Sequence, residues 1–313
     1  MSRKIDSLKK RARQGDAGAE YELGSAYLRG RGVRKDIRRG MELIKKAARA
    51  GVALAQLDLS WCYSEGCGVR KNPKQAFRWA LAAAEQGEPT AQYNAWVAYS
   101  QGFGTKPDPG AAMKWLQKAA KGGSTSAMTD LGQHYLEHGR PNQRRKGVEL
   151  IIAAAEQGDA EAQWIEGLLH EQGIGIPADA KKACACYLAA ARQGNASAQA
   201  SLGSCYFHGE GVARDYRTAL KWYRKAAAQG EPMAQTCIGL AYMQGDGVRR
   251  SVETGLEWLR KAAAQDHADA LFALGEIYWS GEGVKPDRAA AKRYLRKAAA
   301  LGDPEAVEIL AFL

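Results

Sequence analysis

The stretch GEGVARDYRTALKWYRKAAAQGEPMAQ, beginning at Gly209, returns 72 residues later as GEGVKPDRAAAKRYLRKAAALGDPEAV from Gly281. The repetition runs through the whole 313-residue chain. Counting from the glycine before each A-x-A or P-x-A segment as slot one, copies begin at Gly15, Gly51, Gly87, Gly123, Gly158, Gly194, Gly230 and Asp266. Successive starts are 36 residues apart except for one interval of 35. Residues 1–14 and 302–313 read as half-repeats, each expected to form a capping helix, around eight full repeats over residues 15–301. A unit this short cannot enclose a core, so each copy must bury its apolar face against its neighbours. No linker or change of composition interrupts the period, and one elongated domain is expected.

Each copy contains two helical patterns. The first carries small and apolar residues at helical spacing, such as Ala19, Leu23, Gly24 and Tyr27, and stops at G-x-G-V. The second starts near an aspartate (Asp36, Asp108, Asp179, Asp215, Asp287) able to accept a hydrogen bond from the free amides of the first turn, and ends in K-A-A-x-x-G. The tenth slot is small (Gly24, Ser60, Gly132, Gly167, Gly203, Gly239, Gly275), which predicts close helix approach. Second-helix aromatics at Trp79, Trp115, Trp222, Trp258 and Tyr294 are expected in the core. The fold class expected is all-α, a right-handed α-solenoid of about eight antiparallel helix pairs.

The pattern A-x-x-x-L-G-x-x-Y-x-x-G-x-G-V, a capping aspartate, A-x-x-W-x-x-K-A-A and a terminal glycine resembles the Sel-one-like repeat family, a relative of the tetratricopeptide repeats. The likeness covers essentially the whole chain. It implies an adaptor or scaffold, as in bacterial signalling, secretion or host contact. A subset of the family carries one disulfide per repeat; that regularity is absent here.

The formal net charge of +11 is uneven, because residues 1–50 hold 15 Lys/Arg against 6 Asp/Glu. Basic residues between Arg29 and Arg49 could face an acidic partner or simply form a solvated end. No nucleic-acid module accompanies them, and nucleic acid is not an expected partner. No run approaches the roughly 20 apolar residues that cross a bilayer, and no secretory leader is visible, so a cytoplasmic location and a monomer are expected. The six cysteines read as small buried hydrophobes, although Cys62 and Cys67 could pair within one helix–loop unit.

Chemical motifs are few. HYLEH, from His134 to His138, matches the H-x-x-E-H pattern of inverted zinc peptidases, but the repeat frame claims its residues. Glu166 and His170 lie one turn apart on the next first helix. The four form a polar seam or, on the alternative reading, a metal site and a metal-dependent hydrolase. No cofactor or catalytic residue is expected. In tetratricopeptide-like arrays the first helices line the concave surface, which assigns slots 4, 7, 11, 14 and 15 to a groove. The partner-binding residues expected there are Trp61, Tyr93, Glu161, Trp164, Glu171, Phe207, His208, Met243, Phe272, Glu276 and Trp279. This aromatic and acidic set suits a protein or peptide partner with basic and apolar side chains. The function expected is a non-enzymatic interaction scaffold; the alternative is an immunity or regulatory protein for one cognate toxin or enzyme.

Overall fold

A computed structural model describes residues 2–311, so Met1 and residues 312 and 313 of the two expected caps lie outside it. The described residues form eighteen α-helices and no strand. The chain divides into two compact units, Met1–Ala154 and Ala155–Leu313. In the first, α1 (Ser2–Arg13) precedes the pairs α2 (Ala17–Arg29)/α3 (Ile37–Arg49), α4 (Ala53–Glu65)/α5 (Pro73–Glu85) and α6 (Pro89–Gln101)/α7 (Pro109–Lys121), followed by α8 (Thr125–His138) and by α9 (Pro141–Glu156), whose last two residues belong to the second unit. The second holds α10 (Ala160–Gln172)/α11 (Ala180–Arg192), α12 (Ala196–His208)/α13 (Tyr216–Ala228), α14 (Pro232–Gln244)/α15 (Val252–Ala263) and α16 (Ala268–Ser280)/α17 (Arg288–Ala300), closed by α18 (Pro304–Ala311). Within each unit, consecutive helices pack on one another in chain order.

All five expected caps are present: Asp36, Asp108, Asp179, Asp215 and Asp287 each accept a hydrogen bond from an amide in the first turn of a second helix. Asn72 and Ser251 do the same where aspartate is missing. The paired loop glycines have separate tasks. Gly209 ends α12 at φ +80°, whereas Gly211, at φ +72°, lies so close to the carbonyl of Ala180 that a Cβ there would clash. Each loop can thus rest on the start of the preceding second helix. The copy with the shorter interval lacks this loop: α8 runs on through His138, and Gly139 is extended before α9 begins.

Alanine makes the stacking close. Slot five is Ala19, Ala55, Ala91, Ala127, Ala162, Ala198, Ala234, Ala270 and Ala306, and every one is fully buried. The tenth slot faces the partner helix of its own pair: a Cβ on Gly203 would stand 2.6 Å from the Tyr223 ring, and Ser60 donates through its hydroxyl to the Ala76 carbonyl at 2.8 Å.

Two features differ from what the repeat pattern predicts. Trp222 and Trp258 are only half-buried, each with a lysine ammonium over the ring, Lys225 at 4.0 Å and Lys261 at 4.3 Å. The core position is the next residue, Tyr223 or Leu259, at 1% and 0% exposure. A Trp-x-x-Lys spacing lets the ring cover the outer edge of the pair while its face stays open to a cation.

The other feature is a ladder of glutamines at slot six. Gln56, Gln163 and Gln199 donate through Nε2 to the carbonyls of Ala48, Ala155 and Ala191 on the preceding second helix. Their Oε1 atoms accept from Gln86, Gln193 and Gln229, thirty residues on, at 2.8–3.0 Å. Gln193 and Gln229 also donate to the carbonyls of Gly158 and Gly194. One amide pair therefore ties two successive repeats and satisfies carbonyls that helix ends leave free. In the first copy a buried Glu20 paired with Lys46 replaces it, and in the eighth an apolar Leu271 does.

Candidate functional site

First-helix side chains at slots seven and eight meet across successive repeats. The Tyr93 hydroxyl donates to Asp130 Oδ2 at 2.7 Å, and Trp164 Nε1 donates to Ser201 Oγ at 3.2 Å. Tyr21 and Asp58 stand at the same two slots of the first two repeats, and burial raises both of their pKa values. Tyr93 and Trp164 are thus half-buried seam residues with their polar atoms already engaged. Glu161 and Glu171 stay exposed but accept hydrogen bonds from Asn195 Nδ2 at 2.8 Å and from the Tyr187 hydroxyl at 2.9 Å. Phe207 lies edge-on to Tyr216, with ring centres 4.9 Å apart, and to the exposed His208 at 5.2 Å. Phe272 packs against the core of the last two repeats.

Slots eleven and fourteen behave differently. At the C-terminal ends of α14 and α16 they frame a cavity of about 480 Å³ with Leu240, Met243, Glu276 and Trp279 among its lining residues. Met243 is buried at 4% exposure, Leu295 and Ile277 are buried beside it, and Ile309 of α18 completes the apolar base. Met243 is therefore part of the floor and not a free anchor. Glu276 is exposed at the mouth, and Trp279 is half-buried with the Arg288 guanidinium 4.4 Å from its ring centre. Glu282, on the loop after α16, also lines the cavity and pairs with Arg250 at 3.5 Å. Partial burial, with Glu305 and Asp303 nearby, raises the Glu276 carboxyl above its ordinary pKa. The result is an apolar pit with an acidic mouth. Glu282 and Ile309 were not readable as site residues, since one sits between loop glycines and the other in the terminal half-repeat.

Trp61 belongs to a separate cavity of about 490 Å³ in the first unit, where it is 58% exposed beside Arg29, Lys35, Ile37 and Cys67.

The polar candidates meet in pairs. Glu166 and His170 lie 4.0 Å apart, and the Cys186 thiol joins Glu166 and is pushed up to about 12, mainly by burial. The His134 and His138 rings meet edge-on at 5.1 Å, with His138 exposed. Among the described residues no three His, Cys, Asp or Glu side chains gather as a metal-binding group. All six cysteines are free, Cys62 and Cys67 included. Burial raises the thiols of Cys62, Cys184, Cys186, Cys205 and Cys237, the opposite of what a nucleophile requires. No helix among the described residues is long and apolar enough to cross a membrane.

Stacked helix pairs with ligand-sized pits between successive first helices define a helical repeat protein of the solenoid class. The chain belongs to the Sel1 repeat family: the repeat matches at residues 17–52, 53–88, 89–124, 125–159, 160–195, 196–231, 232–267 and 268–303. Proteins built from it generally mediate protein–protein interactions. Among solved structures, the chain is similar to c5321, a protective antigen of uropathogenic Escherichia coli that displays an SLR fold. The two are 32% identical with a TM-score of 0.75, over 96% of this chain and 65% of the antigen, so this chain spans just under two thirds of that protein. It is also similar to a Sel1 repeat protein from Oxalobacter formigenes, 32% identical with a TM-score of 0.61, over 98% of this chain and 89% of the other. No curated protein sequence matches it.

Proposed function

We propose that the protein is a non-enzymatic interaction scaffold that captures a peptide or helix of a partner protein in the cavity bounded by Trp279 and Glu276. The observation that carries this reading is the union of an apolar base, the buried Met243 and Leu295 with the half-buried Ile309, and a mouth bearing Glu276 and Glu282. An apolar side chain inserted there would displace water from the pit, and a flanking Lys or Arg would meet the carboxylates. Recognition of this kind needs neither nucleophile nor cofactor. Tyr93 and Trp164 are not among the residues lining this cavity, and their polar atoms already bond to the next repeat.

The test is a titration of the full chain with a fluorescent peptide that alternates Lys with Phe and Leu, beside a counterpart in which Glu replaces Lys. The basic peptide is expected to bind, more weakly as salt rises, and Trp279→Ala is expected to cost at least about tenfold in affinity. Equal binding of both peptides, or binding indifferent to Trp279→Ala, contradicts the proposal.

A further inference from the structure

Of the chain's 45 Lys/Arg and 34 Asp/Glu, 27 and 14 fall in residues 1–154, leaving 18 and 20 in residues 155–313. The first unit is thus strongly basic and the second slightly acidic. The same contrast appears between the loop glycines, where Arg31 stands in the first repeat and Glu210, Asp246 and Glu282 in the last three.

The cavity at Trp61 occupies the slots of the first two repeats that correspond to those of the Trp279 cavity: Ser25 and Trp61 at slot eleven, Leu28 and Arg29 at slots fourteen and fifteen. Its apolar side is unusually open, with Trp61 58% exposed and Ile37 47% exposed. Its charged side is cationic. Neither Arg29 nor Lys35 has a carboxylate within 4.0 Å among the described residues. Lys35 also borders an adjoining hollow lined by Lys9, Arg34 and Arg39. The one acidic lining residue, Asp58, is half-buried, and burial raises its carboxyl while the Arg29 guanidinium acts to lower it.

We infer that this cavity is a second docking site, of opposite sign to the first, for an acidic peptide segment that places one large apolar side chain against Trp61 and its carboxylates on Arg29 and Lys35. Charge complementarity selects the acidic partner. The pit selects a protein over a bare polyanion, since a membrane surface or nucleic-acid backbone would use the cationic rim and leave Trp61 and Ile37 uncovered. Cys67, which lines the cavity, is the one exposed cysteine, and so reports on its occupancy.

The experiment uses the full chain and a labelled peptide of Asp and Glu around a Phe-Leu pair, with its Lys-substituted counterpart. Affinity and the rate of Cys67 alkylation by N-ethylmaleimide are both measured. The acidic peptide is expected to bind and to slow alkylation of Cys67 at least about fivefold. Trp61→Ala and the double charge reversal Arg29→Glu/Lys35→Glu should each weaken binding at least about tenfold, while Trp61→Phe retains it within about threefold. Trp279→Ala should leave it unchanged, which separates this site from the one in the second unit. Failure of the acidic peptide to bind, equal binding of the Lys-substituted peptide, or indifference to Trp61→Ala overturns the inference. Binding to phosphatidylserine vesicles that is lost in the charge reversal but kept in Trp61→Ala overturns it in favour of a membrane surface.

Discussion

Gln86 donates its side-chain N–H to Gln56 Oε1 at 2.8 Å, joining the end of one repeat's second helix to the buried start of its first. One repeat later the donor is missing. Gly122 stands where Gln86 stood, with nearly the same backbone angles, and Gln92 Oε1 is buried without a partner. Supplying the donor with Gly122→Gln should raise the stability of the first unit by about 1 kcal/mol, whereas Gln86→Ala should cost about 1–3 kcal/mol by leaving Gln56 Oε1 bare. A Cβ at residue 122 would meet Pro89 at 3.1 Å, a contact the seventh repeat accommodates, since Gln265 makes the ladder bond with Pro232 in the matching slot. Urea denaturation of the two variants checks both signs.

The second-helix aromatics give a paired test of which residue holds a repeat together. Tyr223→Ala removes a ring that is 1% exposed and fills the space over Gly203, and should cost about 3–5 kcal/mol. Trp222→Ala removes a half-buried ring and its contact with Lys225, and should cost about 1–2 kcal/mol. Thermal melts should rank them in that order.

These two cases mark how far the sequence could be read. The period, the helix pairs, the capping aspartates and the small tenth slot were all legible, because each is a local requirement written between five and eight times. The glutamine ladder was not: a glutamine beside alanines looks like a solvated residue, and its partner lies thirty positions away. Adjacent apolar residues such as Trp222 and Tyr223 differ by only 100° of helical rotation, and size favoured the wrong one for the core. At the candidate site, slots eleven and fourteen were readable from the array geometry. The slot-seven aromatics Tyr93 and Trp164 were not separable from them, since nothing within one repeat shows that Asp130 and Ser201 of the next will claim their polar atoms.

Glu276 should leave a pH signature. Its folded-state pKa is raised, chiefly by burial and further by Glu305 and Asp303, so the folded chain keeps this proton to higher pH than the unfolded chain does. The contribution to stability is therefore greatest in acid and is lost as pH climbs from the ordinary value of 4.5 through the raised one. Glu276→Gln should flatten this part of the stability–pH profile without changing the helical signal. A basic peptide should bind the native chain more tightly as pH rises through the same window, and the variant should lose that dependence.

Thiol chemistry should single out one residue. With Cys62 pushed up to about 11, Cys186 to about 12 and the others raised by burial, only Cys67 is exposed. Ellman's reagent should find one fast thiol in the native chain, none in Cys67→Ser, and six after unfolding of the unsubstituted chain. Several fast thiols in the native state would show that the repeat cores open readily.

The central claim is that, in the second unit, recognition and stability reside in different aromatic residues. Its most direct measurement is a side-by-side determination of melting temperature and basic-peptide affinity for Trp279→Ala and Tyr223→Ala. Trp279→Ala should lose about 1–4 kcal/mol of binding with little change in melting temperature. Tyr223→Ala should melt well below the unsubstituted chain yet, at temperatures where it remains folded, bind the peptide with unchanged affinity. The account is contradicted if the two substitutions shift both quantities alike, or if Trp279→Ala unfolds the second unit while leaving affinity intact.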